Sequence, residues 1–249
     1  MDVVGVIPAR YGSTRLEAKA LVDICGKPMI QHIYERAKEA KVLDDLIVAT
    51  DSDKIIDTVR GFGGKAVYTA REHTSGSERL TEVVFSLDVK IIVNIQGDEP
   101  LVHSSMINDV AAVLLENEAL VMSTLKCKIT NEQDIDNPNV VKVVTNKDNF
   151  ALYFSRSPIP SYTRVDDKSV IDYYKHIGIY AYTKDFLLTF KGLRHSVLEN
   201  AEKLEQLRVL ENSYEIKVIE TKYDTIGVDT EEDLEKVREV IRRRTDIER

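Results

Sequence analysis

From Lys90 to Ile95 the chain reads KIIVNI, apolar at nearly every position, then breaks abruptly into Gln96-Gly97-Asp98-Glu99-Pro100. A strand that is apolar on both faces belongs in a parallel sheet covered by helices. DVVGVI (2–7), LIVAT (46–50) and KAVYT (65–69) read as further strands, each with room for a helix after it. Ile30, Ile33, Tyr34 and Ala37 recur at helical spacing, which predicts a helix over roughly 28–41 with Pro28 near its first turn. Asp51 or Ser52 can cap a second helix running to about Phe62, with Gly61, Gly63 and Gly64 as its stop. A third is expected from about Ser77 to Leu87. The alternation predicts an α/β fold, a doubly wound, mostly parallel, Rossmann-like sheet. Such sheets bind ligands at the carboxyl ends of their strands, so the loops after Ile7, Thr69 and Ile95 should share a site.

The pattern changes after about residue 120. VMSTLKCKI, VVKVVT, FALYF and HIGIYAY are strand-like, with polar or proline-containing connections and no helix between each pair. They predict a smaller mixed or antiparallel sheet extension and a surface for a dimer interface. A helix is expected over roughly 198–212, a strand around 215–221 and a last helix from Thr230. With 249 residues and no linker or repeat, the chain reads as one domain over 1–249. Within it, about 1–120 forms a nucleotide-binding half, about 121–220 a second part and about 221–249 a closing turn and helix.

The formal charge of −8 argues against a general nucleic-acid binder. Neither a signal segment nor an apolar run long enough for membrane insertion is seen, which makes the cytoplasm the expected compartment. Cys25 and Cys127 are not in a CxxC pair and read as small core or subsurface residues, and the five scattered histidines lack zinc-ligand spacing.

Positive charge is instead concentrated directly after the first strand. In Pro8-Ala9-Arg10-Tyr11-Gly12-Ser13-Thr14-Arg15-Leu16-Glu17-Ala18-Lys19, Gly12 permits close approach of a phosphate. Ser13 and Thr14 add hydroxyl donors, and Arg15 and Lys19 add charge. Neither GxxxxGK[ST] nor GxGxxG is present, which disfavours nicotinamide-dependent oxidation. A second loop, Ala70 to Arg79, offers Arg71, Ser75, Gly76 and Arg79 on the same sheet edge. Asp98 and Glu99, beyond the fourth strand, suit a Mg²⁺–phosphate site, although a strand-end turn could also use an Asp. Asp229 is a second metal candidate. Thr230-x-x-Asp233 also resembles a capping box, and acids favour a first helical turn, so the ordinary helix-end reading stays open.

IPARYGSTRL, ICGKPMI, VATD, SGSERL, VNIQGDEP, ALYFSR, HIGIYAY, LEQLRVL and GVDTEEDLE occur in this order. Together they resemble the bacterial 3-deoxy-manno-octulosonate (Kdo) cytidylyltransferases, from about residue 3 to 240. The resemblance implies a nucleotidyltransferase sheet, a homodimer, and transfer of CMP from CTP to Kdo for lipopolysaccharide synthesis, with Mg²⁺, two ions, as cofactor. It implies that Arg10, Gly12, Ser13, Arg15 and Lys19 hold the triphosphate, and that Gln96 recognises the nucleotide beside Arg71–Arg79, with Pro8 also at the CTP site. Asp98 and Asp229 would ligate magnesium. Arg156, His176, Tyr180, Glu205 and Gln206 would form the acid-sugar pocket. Where the family is expected to read LPGK, this chain has Leu16-Glu17-Ala18-Lys19, which alters the loop's stiffness and adds a negative charge.

The implied chemistry is in-line attack of the sugar's anomeric hydroxyl on the α-phosphorus. Asp98 would serve both metal ions and Asp229 the activating one, with Arg15 and Lys19 neutralising the leaving group. Arg156 is the candidate for the sugar carboxylate, which a guanidinium matches bidentately. His176 and Tyr180 share a strand face that suits either a pocket wall or an ordinary polar sheet surface. Glu205-Gln206 would sit on a helix whose Leu204, Leu207 and Leu210 pack inward. The alternatives are another acidic sugar, such as a sialic acid or 8-amino-Kdo, or a CTP-binding regulatory subunit.

Overall fold

The computed structural model describes residues 1–12, 18–73, 76–161, 163 and 171–247. They gather into two units, Met1–Asn108 with Thr225–Arg249, and Asp109–Asp224.

In the first unit, β1 (Val3–Ala9) leads to the hairpin β2 (Asp23–Ile24) and β3 (Lys27–Pro28), then α1 (Met29–Lys38) and β4 (Asp45–Thr50). After these come α2 (Asp53–Gly61), β5 (Ala66–Tyr68), α3 (Gly76–Phe85) and β6 (Ile91–Asn94). β1 pairs in parallel with β6 and with β4, and β4 in parallel with β5, giving the order β6–β1–β4–β5. Val3, Val4, Val6, Ile7, Ile92 and Val93 are fully buried, as runs apolar on both faces require. The chain winds outward from β1 to β5 and returns to β6 on β1's other flank. This reversal marks the carboxyl ends of β1 and β6 as the ligand-binding edge.

All four apolar positions that predicted α1 are buried. At the end of α2, Gly63 has φ 79° and the Gly64 amide donates to the Val59 carbonyl at 2.8 Å. The stop signal therefore acts through a left-handed residue that glycine adopts without strain. Cys25 departs from expectation. It is exposed, whereas Cys127 is buried. Cys25 and Gly26 have φ 52° and 88° and turn the β2–β3 hairpin, a tight reversal whose central side chains face water.

The chain leaves the first unit within α4 (Ser104–Glu116), earlier than the change of pattern near residue 120. The second unit holds β7 (Met122–Lys128), α5 (Gln133–Asp136), β8 (Lys142–Thr145), β9 (Ala151–Ser155) and β10 (Tyr174–Thr183). These are followed by α6 (Lys184–Gly192), α7 (Val197–Glu202), α8 (Gln206–Glu211) and β11 (Lys217–Thr221). β10 runs antiparallel to β7 and β8, β9 is antiparallel to β8, and β11 is parallel to β7. This is the mixed sheet that the sequence predicted. From Thr225 the chain rejoins the first unit, ending in α9 (Glu231–Ile247).

The helices differ from expectation at several places, and α4 and α5 lie where none was expected. α6 was not foreseen, although the Thr183 hydroxyl caps it by accepting from the Phe186 amide and Phe186, Leu187 and Phe190 are buried. The helix expected over 198–212 is two helices, α7 and α8. Lys203 ends α7 in the left-handed conformation, φ 56° and ψ 45°. The break lets Arg208 return to Glu199, with Nε to Oε2 at 2.9 Å and Nη2 to Oε1 at 2.7 Å. On one continuous helix those residues would stand about 13 Å apart along the axis, at 1.5 Å per residue.

Candidate active site

Three loops of the first unit converge on Pro8, at the end of β1. A Cβ placed on Gly97 would run into the Pro8 carbonyl oxygen, and one on Gly76 would lie 3.3 Å from the Pro8 ring. Gly97 is thus glycine because two backbones meet there, and only a residue without a side chain permits it. The loops after Ile7, Thr69 and Ile95 do share one edge, as the strand pattern required.

Lys19 follows in a short 3-10 turn, Lys19–Leu21. Its ammonium donates to Asp98 Oδ2 at 2.8 Å, to Asp229 Oδ1 at 3.0 Å and to the Val228 carbonyl at 2.7 Å. The Val228 amide in turn donates to the Asp98 carbonyl at 2.9 Å, which joins the QGDEP turn to the GVDTEED turn. The helix-end reading of Asp229 is settled by its neighbours. Thr230 Oγ1 accepts from the Asp233 amide at 3.2 Å, and Asp233 Oδ2 accepts from the Thr230 amide at 3.0 Å. Capping of α9 is therefore done by Thr230 and Asp233, and the Asp229 carboxylate points to Lys19 instead. Among the described residues no three His, Cys, Asp or Glu side chains form a metal-holding group. Two carboxylates converging on one cation is nevertheless the protein share of a Mg²⁺ site completed by phosphate and water. The donor set fits.

Arg79 is placed differently from a direct phosphate ligand. It is 3% exposed. Its Nη1 contacts Thr69 Oγ1 and donates to the Ala70 carbonyl at 3.3 Å, while Nη2 donates to Asp51 Oδ2 at 3.1 Å. Asp51 Oδ1 accepts from the Tyr11 amide at 3.1 Å. One carboxylate thus ties the first loop to the base of the second. Beside it lies a cleft of about 610 Å³, lined by Tyr11, Gly12, Asp51, Lys54 and Arg71 among others. Arg10 and Gly12 are exposed at its side of the unit, Gln96 is half-buried, and Ser13, Arg15, Glu17 and Ser75 fall outside the described residues.

In the second unit, Arg156 Nε donates to the Glu202 carbonyl at 2.7 Å and Nη1 to the Pro138 carbonyl at 2.9 Å. Its backbone amide donates to Glu202 Oε2 at 2.9 Å. The His176 ring packs against Phe154 and Tyr180, centroids 5.0 and 5.3 Å away. The Thr124 hydroxyl donates to the Ile179 carbonyl at 2.9 Å and faces His176 Nε2 at 3.0 Å. Desolvation holds the His176 pKa down to about 3, so the ring is neutral at pH 7. Tyr180 and Gln206 are buried and Glu205 half-buried at the start of α8. The face shared by His176 and Tyr180 is accordingly packed rather than an open polar surface.

The cytidylyltransferase family profile matches residues 4–219. The 3-deoxy-manno-octulosonate cytidylyltransferase of Geotalea uraniireducens is 51% identical over 98% of this chain and 100% of its own length. The enzyme of that name from Fusobacterium nucleatum is 51% identical over 95% of this chain and 96% of its own. The chain belongs to the cytidylyltransferase family. A solved structure of CMP:2-keto-3-deoxy-manno-octonic acid synthetase complexed with CTP superposes with a TM-score of 0.92 at 42% identity, covering 98% of this chain and 100% of that one. The nucleotidyltransferase fold expected from the sequence is the fold of this cytidylyltransferase.

Sequence reasoning named Lys19, Asp98 and Asp229 and the structure brings them together. It also placed Pro8, Gly76 and the QGDEP turn on one edge. Asp51 was read only as a helix cap, yet Ser52 is the N-cap residue of α2, and Asp51 serves this cytidylyltransferase by joining Tyr11 to Arg79. Its signal was its position, an acid at the carboxyl end of a buried strand. Glu202 was missed, because a glutamate on a helix surface looks solvated until its partners are known.

Proposed function

We propose that this enzyme transfers CMP from CTP to 3-deoxy-manno-octulosonate, releasing pyrophosphate and supplying the activated sugar for lipopolysaccharide synthesis. The observation that carries this reading is the convergence of Asp98, Asp229 and the Val228 carbonyl on the Lys19 ammonium, at a sheet edge built from loops suited to phosphates. In this reading Asp98 and Asp229 hold Mg²⁺, as one ion or two. A Mg²⁺ held by them would supply neutralisation of phosphate charge and a lowered pKa for the attacking hydroxyl.

The chain's own residues bind and orient. Lys19 offers a charge to the departing phosphates, and the contacts of Pro8 with Gly76 and Gly97 fix the backbone that receives the nucleotide. Arg10, Gly12, Gln96 and Arg71 are assigned to CTP. Ser13, Arg15 and Ser75 are assigned to it on the family resemblance. Arg156 is assigned to the acceptor's carboxylate, because its Nη2 edge has no protein partner among the described residues. Glu205 and Gln206 are assigned to the sugar's hydroxyls, with Tyr180 behind them. His176, neutral at working pH, contributes a hydrogen bond and shape rather than a proton. Leu152, Val197 and Leu198 are exposed apolar side chains of the second unit, which supports a homodimer. No helix among the described residues is long and apolar enough to cross a membrane, and the cytoplasm is the compartment proposed for a CTP-dependent step.

The test is pyrophosphate release from CTP and Mg²⁺ with Kdo, with N-acetylneuraminate and with no acceptor. Release with Kdo alone is expected. Release with neuraminate alone overturns the acceptor, and silence with Kdo overturns the reaction.

A further inference from the structure

Lys142, the first residue of β8, has no exposed surface. Its ammonium donates to the carbonyls of Asn137 at 2.8 Å, Val140 at 2.6 Å and Arg156 at 2.7 Å. An ammonium has three donors, and all three are spent on backbone. Two of the acceptors lie in the turn before β8, and the third is just past the end of β9. The buried charge therefore clamps that turn to the backbone of Arg156.

The same turn carries an acceptor for the Arg156 side chain, the Pro138 carbonyl that receives Nη1 at 2.9 Å. Glu202 completes the frame. Its carboxylate accepts from Ser155 Oγ at 2.7 Å and from the Arg156 amide at 2.9 Å, and its carbonyl accepts Nε at 2.7 Å. The guanidinium is thus held along its Nε side and at one terminal nitrogen, and among the described residues its Nη2 edge is left for a planar anion. Desolvation pushes the Lys142 pKa down, so the fold bears the cost of burying this charge. An apolar residue would fill the space without that cost but would take a donor from all three carbonyls, of which Asn137 alone keeps a second one, the Val140 amide at 3.1 Å.

We infer that Lys142 is a positioning residue that sets the Arg156 guanidinium for the carboxylate of the acceptor, an inference that rests on the assignment of Arg156 above. Lys142 touches no substrate itself. Its effect passes through the Asn137–Val140 turn and the Arg156 backbone.

The experiment compares Lys142→Met, Lys142→Gln, Arg156→Ala and the Lys142→Met/Arg156→Ala double variant. KM is measured separately for Kdo and CTP, with folding followed by circular dichroism. Loss of a hydrogen bond to a charged group should raise the Kdo KM of Lys142→Met about 10-fold, with the CTP KM within about twofold. Lys142→Gln keeps two donors and should fall between Lys142→Met and wild type. In the Arg156→Ala background Lys142→Met should add less than about twofold, since residues acting through one another are not additive. If Lys142→Met does not fold, Lys142→Gln is read in its place by the same KM split. Equal loss of Kdo and CTP affinity, independent multiplication of the two effects, or failure of both variants to fold overturns the inference. An unchanged Kdo KM in Arg156→Ala overturns the assignment of Arg156 as well, whereas a raised one beside an unchanged Lys142→Met overturns the inference alone.

Discussion

Lys19 brings one positive charge against two carboxylates and a carbonyl oxygen, so each of these groups limits what the others can do. Asp98 and Asp229 converge only because a cation lies between them. Asp98→Asn keeps the shape but halves the anionic charge, and turnover should fall at least ~10²-fold, the scale for losing one electrostatic stabiliser. Steady-state turnover at saturating CTP and Mg²⁺ checks this, and a folded variant with near wild-type turnover excludes Asp98 as principal ligand. Asp51 poses a different question. Asp51→Asn still accepts the Tyr11 amide but removes the ion-pair partner of the buried Arg79. Removing one partner of a buried pair costs about 3 kcal/mol, which urea unfolding would detect. A loss below about 1 kcal/mol would mean that the pair is not what holds the loops. Asp98 was legible in the sequence as an acid directly beyond a buried strand, and Lys19 as a cation in the glycine-containing loop that follows β1. Asp229 was legible only as one of two readings, since an acid before a helix is equally an end-cap, and the Thr230–Asp233 hydrogen bonds separate the two uses.

At the scale of elements, period decided what could be read. The continuous apolar runs of β1 and β6 and the helical spacing in α1 leave one solution each. The stretch 198–212 kept a helical period through Leu204 and Leu207, so the break at Lys203 was invisible. It depends on Glu199 meeting Arg208, a contact between residues nine apart that periodicity does not encode. The break carries a measurable strain. Lys203 is exposed and left-handed, a conformation that costs an L-residue about 1–2 kcal/mol and glycine almost nothing. Glycine's extra chain entropy takes back part of that gain, roughly 0.5–1 kcal/mol. Lys203→Gly should therefore stabilise the fold by about 0.5 kcal/mol, while Lys203→Ala should not. Denaturant midpoints of the two variants test this. An equal midpoint would mean that the left-handed turn is not retained in solution.

For the molecule as a whole, acid sensitivity follows from burial in the second unit. His176 is held neutral, with a pKa of about 3, by desolvation beside Phe154 and Tyr180, against about 6.5 in an unfolded chain. Between those values the unfolded state binds one proton that the folded state does not, so stability rises with pH and is lost as pH falls from 6.5 toward 3. One such proton contributes about 1.4 kcal/mol per pH unit. His32 is shifted in the same direction, chiefly by desolvation, and adds to the same slope. Carboxylates held low, such as Glu199 beside Arg208, lose their stabilisation only at more acid pH. The interval from pH 5 to 6.5 therefore isolates the histidines, and a substitution isolates one of them. His176→Gln keeps a hydrogen-bonding partner for Thr124 but no titrating ring, and its unfolding free energy should fall less steeply with acid than that of wild type, by roughly 1 kcal/mol per unit across this interval. Parallel curves for the two proteins would mean that His176 protonates as readily in the folded state as in water, and would overturn the desolvation argument.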